Sequence, residues 1–161
     1  MSTHPSIRAA NVFTLMLAAA LLLLGGCSGG FEKKFETARA MPIPAGDPIV
    51  GAWEGTWTGT DGHAGPLRAI LTPAGTNAYR AEFHAGYSIF THESTVMLTG
   101  QRLGNKLSFR GEEDLGWMAG GVFNYQGTVT PTTFHSTYDS EKHDGVYEMH
   151  RPEGVEPFGG N

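Results

Sequence analysis

The chain contains one thiol, Cys27. A thiolate is a strong nucleophile that can accept a lipid group as a thioether. A single cysteine excludes an intrachain disulfide. Gly25 and Gly26 precede it, so the peptide bond on its N-terminal side is open to a peptidase. The other groups able to do chemistry are more dispersed. His63, His84, His92, His135, His143 and His150 follow Cys27, with no H-x-H, H-E-x-x-H or C-x-x-C pattern among them. A metal centre needs several such ligands to converge. These histidines are therefore read as solvated strand-face groups, and no metal and no cofactor are expected. The densest polar stretch is 138–145, in which Asp139, His143 and Asp144 could form an acid/base or cation site. Its spacing fits no Ca²⁺ loop, and Asp144-Gly145 reads better as a charged hairpin tip. No phosphate-binding G-x-x-x-x-G-K-[ST] is present. No catalytic residue is nominated, and the expectation is a protein that is not an enzyme.

Positioning begins with the segment ahead of the thiol. Residues 12–24 form a largely apolar run of 13, preceded by one positive charge, Arg8. A spanning helix needs about 20 such residues, so the run suits a signal peptide instead. Leu24-Gly25-Gly26-Cys27 resembles the lipobox of bacterial lipoproteins. The resemblance implies cleavage between Gly26 and Cys27, then acylation of Cys27 on sulfur and on its new amine. One acyl chain holds a protein to a bilayer only marginally, whereas two or three anchor it firmly. Ser28 stands where lipoproteins retained in the inner membrane tend to carry Asp, which implies the outer membrane, with the folded domain in the periplasm or at the cell surface.

Composition bounds the rest. Aromatic residues reach 11% and charged residues only 17%, which excludes a disordered chain. The net charge of −5, which becomes −6 when Arg8 leaves with the signal, excludes nucleic acid as a natural partner. Residues 1–26 are read as the signal peptide, 27–48 as a lipidated tether, 49–152 as the folded domain and 153–161 as a disordered tail. Within the tether, 31–40 suits a short helix with Phe31 and Phe35 on one face. Three prolines between 42 and 48 then impose an extended path. As a flexible coil, the 21 residues from 28 to 48 would reach roughly 25 Å.

The domain shows short alternating runs broken by Gly, Pro and Asn, at 53–58, 67–72, 79–85, 89–101, 107–112, 122–130, 133–139 and 146–151. With no helix to cover a sheet, their apolar faces must meet each other. The predicted fold is all-β: an antiparallel up-and-down meander of about eight strands, closed or nearly closed into a small barrel. A two-sheet β-sandwich is the alternative. Gly51-Ala52-Trp53 resembles the G-x-W signature of calycin barrels such as lipocalins, and Gly55-Thr56-Trp57 resembles the opening strand of avidin-type barrels. The resemblance implies a structural trio of Gly51, Trp53 and Arg151, with the arginine covering the indole. The chain is also similar to small bacterial lipoproteins with a Trp-rich first strand and a terminal Arg-Pro.

An eight-stranded barrel is just wide enough to be filled by side chains or to hold one small ligand. Trp57, Tyr79 and Tyr125 face inward in this reading, and Trp117 and Met118 lie in a glycine-flanked apolar loop. That loop suits either a lid or partner patch, or a plug that packs its indole into the barrel end. These five residues are the candidate ligand contacts. The expected function is a membrane-anchored binding module for a small, mostly apolar ligand. The alternative is a structural or protein-interaction lipoprotein with a filled core and an envelope protein as partner.

Overall fold

The computed structural model describes residues 29–155. The chain divides into two compact units, 1–33 and 34–161. Of the first unit, the described residues are 29–33, the opening of helix α1 (Gly29–Ala40). The second holds the rest of α1 and eight strands: β1 (Gly51–Gly59), β2 (Ala64–Gly75), β3 (Ala78–Tyr87), β4 (Phe90–Leu103), β5 (Lys106–Asp114), β6 (Val122–Val129), β7 (Thr133–Asp139) and β8 (Asp144–His150).

Each strand pairs antiparallel with the next, and β1 closes on β8 with Trp57 opposite Tyr147. The meander is thus a closed barrel rather than a sandwich. Closure leaves no edge strand, although the apical parts of β4 and β5 are not laddered to each other. Side chains alternate as a half-buried strand requires. In β7, Phe134, Ser136 and Tyr138 point in while their neighbours are exposed; in β3, Tyr79, Ala81, Phe83 and Ala85 do the same. Small residues between large ones let rings from facing strands interdigitate. Neighbouring strands approach closely where a side chain would not fit: a Cβ on Gly55 would lie 2.0 Å from the carbonyl of Glu148, and one on Gly127 2.1 Å from that of His135. β2 continues through Pro73, where a stop was expected. The ladder tolerates the missing N–H because the register shifts between Pro73 and Gly75, beside the turn in which Asn77 takes a positive φ.

The meander gives the barrel two distinct ends. The basal end holds the start of β1, the end of β8 and the turns at 76–77, 104–105 and 130–132. The apical end holds the connections 60–63, 88–89, 115–121 and 140–143. Basally, Trp53 is fully buried and its Nε1 donates to Ile49 O at 3.0 Å. The Arg151 guanidinium lies 3.8 Å over that ring and donates to the carbonyls of Pro131, Ala52 and Pro48. Burial brings the Arg151 pKa down to about 10. Beside it, the Tyr79 hydroxyl donates to Asp47 at 2.7 Å, and Arg102 donates to both.

The tether holds the expected helix, and from Lys34 onward it packs on the barrel. Lys34 pairs with Glu82 on β3 at 2.7 Å, Phe35 is buried beneath Arg68 of β2, and Arg39 donates to the Glu153 carbonyl. Ile43 and Ile49 are buried as well. The outward-facing Ala52 and Ile70, opposite one another on β1 and β2, are also buried. The apolar positions in 35–49 thus make that segment part of the domain. Of the expected tail, 153–155 are described; the remainder lies outside the described residues, as do Gly26, Cys27 and the apolar run.

Candidate functional site

The two halves of the barrel interior differ in chemistry. The basal and central part is a contiguous stack of rings. Phe134 has Phe109 at 5.2 Å, Phe83 at 6.1 Å and Trp53 at 6.2 Å between centroids. These are the spacings of favourable aromatic contacts, and Leu67, Leu71, Leu98, Leu107 and Val129 fill the space between. Toward the apical end the inward side chains become polar. Tyr147 meets Tyr138 at 4.9 Å and Tyr125 at 6.0 Å, and the Tyr125 and Tyr147 hydroxyls are hydrogen-bonded. Burial raises the pKa of both well above the ordinary tyrosine value, and Tyr138 is pushed up to about 12 by the same cause.

The wall facing these phenols is built by β4 and β5. His92 and Ser94 are in phase with the buried Val96 and Leu98 on β4, and Glu113 is in phase with Leu107 and Phe109 on β5. The two strands are laddered only from Thr99 opposite Arg110 to Leu103 opposite Lys106. Above that point the Glu113 carboxylate takes over, with Oε1 accepting the Thr95 N–H at 3.1 Å. Glu113 is half-buried, and desolvation raises its pKa, opposed by the Thr95 and Ser94 hydrogen bonds and by the nearby imidazole of His92. Its other oxygen, Oε2, is buried without a hydrogen-bond partner, and so is His92 Nε2. Buried polar atoms are nearly always paired, and each unpaired one costs about 1–3 kcal/mol. Both unpaired atoms belong to side chains on the apical parts of β4 and β5.

The rim of this end is apolar. The Trp57 indole donates to Gly86 O at 2.9 Å and lies 4.6 Å from the Tyr87 ring, which stacks on Phe90 at 4.9 Å. The 115–121 loop is a compact turn: the Leu115 N–H donates to Gly121 O, the Ala119 and Gly121 N–H groups both donate to Gly116 O, and Asp114 caps the Gly116 N–H at 2.8 Å. Lys142 donates to the Trp117 carbonyl at 3.0 Å. Trp117 and Met118 are each 79% exposed, so the loop does not plug the barrel. Phe123 lines that end instead, with His143 stacked 6.3 Å away.

Of the five candidate ligand contacts, Trp57 and Tyr125 sit in the apical half, with Trp117 and Met118 on its rim. Tyr79 lies at the other end, committed to Asp47 and Arg102. Sequence reasoning missed His92, Ser94 and Glu113. His92 was grouped with solvated histidines, yet its parity with Val96 and Leu98 along β4 was the available signal. Ser94 is among the groups that hydrogen-bond the Glu113 carboxylate. Among the described residues no group of three or more His, Cys, Asp or Glu is placed to hold a metal.

Comparison with protein-family models, with curated proteins and with solved structures finds no match for this chain.

Proposed function

We propose that this protein is a lipid-anchored, non-catalytic barrel of the cell envelope, most consistent with the outer membrane, that binds a small, mostly apolar molecule at its apical end. The anchor is Cys27, read from the Leu24–Cys27 pattern. The observation that carries the ligand reading is the presence of two buried, unpartnered atoms at the apical end, Glu113 Oε2 and His92 Nε2. Small-molecule sites combine apolar and aromatic walls with a few placed polar groups, and here Trp57, Tyr87, Tyr138 and Tyr147 supply the walls. Rings fill the centre and base, so the ligand sits shallowly, in the mouth. A buried carboxyl oxygen without a partner favours a ligand that brings a hydrogen-bond donor or a basic group. Tyrosine faces nearby favour a cationic one.

The ring-filled core also supports a second reading, a structural or protein-interaction lipoprotein that works through its outer surface and an envelope protein partner. Native mass spectrometry of the protein extracted from its own cells separates the two. The ligand reading expects a co-purifying small molecule on the wild type and its loss from Glu113→Gln. A wild-type protein that carries nothing, with an identical spectrum for Glu113→Gln, would refute it in favour of the second.

A further inference from the structure

The apical rim exposes more apolar surface than a soluble end of a barrel needs. Ile89 is 92% exposed and Phe90 59%, on the turn between β3 and β4. Trp117 and Met118 project from the next apical loop, between β5 and β6, and β4 and β5 are neighbours in the barrel. The four residues thus occupy adjacent loops of one end. Outside this rim the exposed apolar side chains are dispersed: Leu103, 86% exposed, has Arg102 and Lys106 close by in the same hairpin, Met41 stands alone, and Ile43 and Ile49 are buried.

We infer that this rim rests in the interfacial layer of the bilayer to which Cys27 is attached, so that the mouth of the barrel opens onto lipid. The short run of chain between the anchor and the barrel argues for a lipid surface over a protein partner. Lys34 is fixed to Glu82 on the barrel wall. Only residues 28–33 separate it from Cys27. Seven residue steps span at most about 25 Å even when fully extended. From Glu82 to Tyr87, β3 rises roughly 17 Å toward the apical end. The acyl chains are therefore held within reach of the rim, and the barrel has no slack to stand away from the membrane. Trp, Met, Phe and Ile on adjacent loops then have an apolar phase beside them, and Trp is the side chain most at home at the headgroup level. The acidic side chains next to the loop, Glu112 and Asp114, are exposed. They disfavour an anionic surface, so the contact is one with zwitterionic lipid.

This inference rests on the anchor at Cys27 and is independent of what the mouth binds. Trp53 and Trp57 are buried and Trp117 is exposed, which gives a direct assay. The mature chain, purified from its own cells in detergent, is reconstituted into phosphatidylcholine vesicles carrying bromine on their acyl chains, and tryptophan emission is measured. Acyl-chain bromine is expected to quench a substantial part of the wild-type emission. Trp117→Phe should remove that part and leave the two buried indoles unaffected. Replacing half of the phosphatidylcholine by phosphatidylglycerol should reduce the quenching. Wild-type emission that is insensitive to bromolipid but open to aqueous iodide overturns the inference while leaving the anchor intact. A chain that fails to float with the vesicles overturns the anchor and the inference together. Ligand retention on native mass spectrometry is unaffected by either result.

Discussion

Replacing Trp53 by Ala tests whether the basal end holds the barrel together. The ring is completely buried, donates to Ile49 O at 3.0 Å, and has Arg151 3.8 Å above its face. A buried tryptophan removes about 150–250 Å² from water. At roughly 25 cal/mol per Å² that is about 4–6 kcal/mol, an upper bound because denatured chains already bury part of this surface. The lost hydrogen bond adds about 1 kcal/mol, and the lost cation–π contact a similar amount. Partial collapse of the site offsets some of this, which brings the expected cost to about 3–5 kcal/mol, the range seen for large-to-small core substitutions. Against a typical domain stability of 5–15 kcal/mol, that is a large fraction. In urea, with a slope of about 1–3 kcal/mol per molar, the midpoint should fall by about 2 M. The transition is followed by far-UV circular dichroism, because the substitution changes the fluorescence itself. Trp117→Ala removes the same chemistry from an exposed position and should change stability by less than about 0.5 kcal/mol. Equal effects of the two substitutions would mean that the basal indole is not the keystone described here.

The remaining expectations follow from charge and anchoring. All five tyrosines, Tyr79, Tyr87, Tyr125, Tyr138 and Tyr147, have pKa values raised chiefly by burial. The folded state thus holds its phenolic protons more tightly than the unfolded state, so their contribution to stability is complete below pH 10 and lost as pH rises through the folded values. Absorbance at 295 nm should show no ordinary phenolate step near pH 10, only a cooperative rise on alkaline unfolding; a simple five-group titration in the folded protein would contradict the burial. Glu113, raised by desolvation, makes the fold most stable where the carboxyl is neutral and weakens it as pH rises through its folded pKa. Glu113→Gln should therefore be more stable than wild type at neutral pH and flatten the thermal midpoint between pH 4 and 7, and an unchanged profile would count against a half-buried carboxyl. Cys27→Ser should move the protein from the membrane fraction to the soluble fraction, and its persistence in membranes would remove the anchor from the argument.

How much of this was legible in the sequence depended on parity. Strand by strand, alternation around Tyr79, Phe83, Phe109, Phe134 and Tyr138 gave the inward face, because a period of two has only one way to bury its rings. Ring closure also followed, since eight amphipathic strands without a covering helix have few other solutions. Docking of 34–50 was not legible. Phe35, Ile43 and Ile49 are spaced too irregularly to signal a common face, and three prolines resemble a linker until the partner surface at Ile70 and Ala52 is known. Glu113 and His92 were hidden for a different reason. Pattern reasoning assigns polar residues outward by type, whereas the strand assigns them inward by position. When type and parity disagree, parity decides where the group is, and the disagreement itself points to function.

That disagreement is confined to one end of the molecule. At the base, the Arg151 guanidinium reaches three backbone carbonyls, and Tyr79, Asp47 and Arg102 satisfy one another. Rigid packing there costs nothing in function and supplies the stability. At the apex, Glu113 Oε2 and His92 Nε2 lack partners, and the β4–β5 ladder gives way to a side-chain bond at Thr95. A fold optimised only for stability would place apolar residues at 92 and 113 and extend the ladder to the rim. Keeping a carboxyl and an imidazole there sacrifices about 1–3 kcal/mol for each unpaired atom, a cost that the ring-packed base can offset. If the proposed function holds, a ligand group that hydrogen-bonds to both atoms would recover that energy on binding, and affinity should come from the same two atoms that weaken the fold.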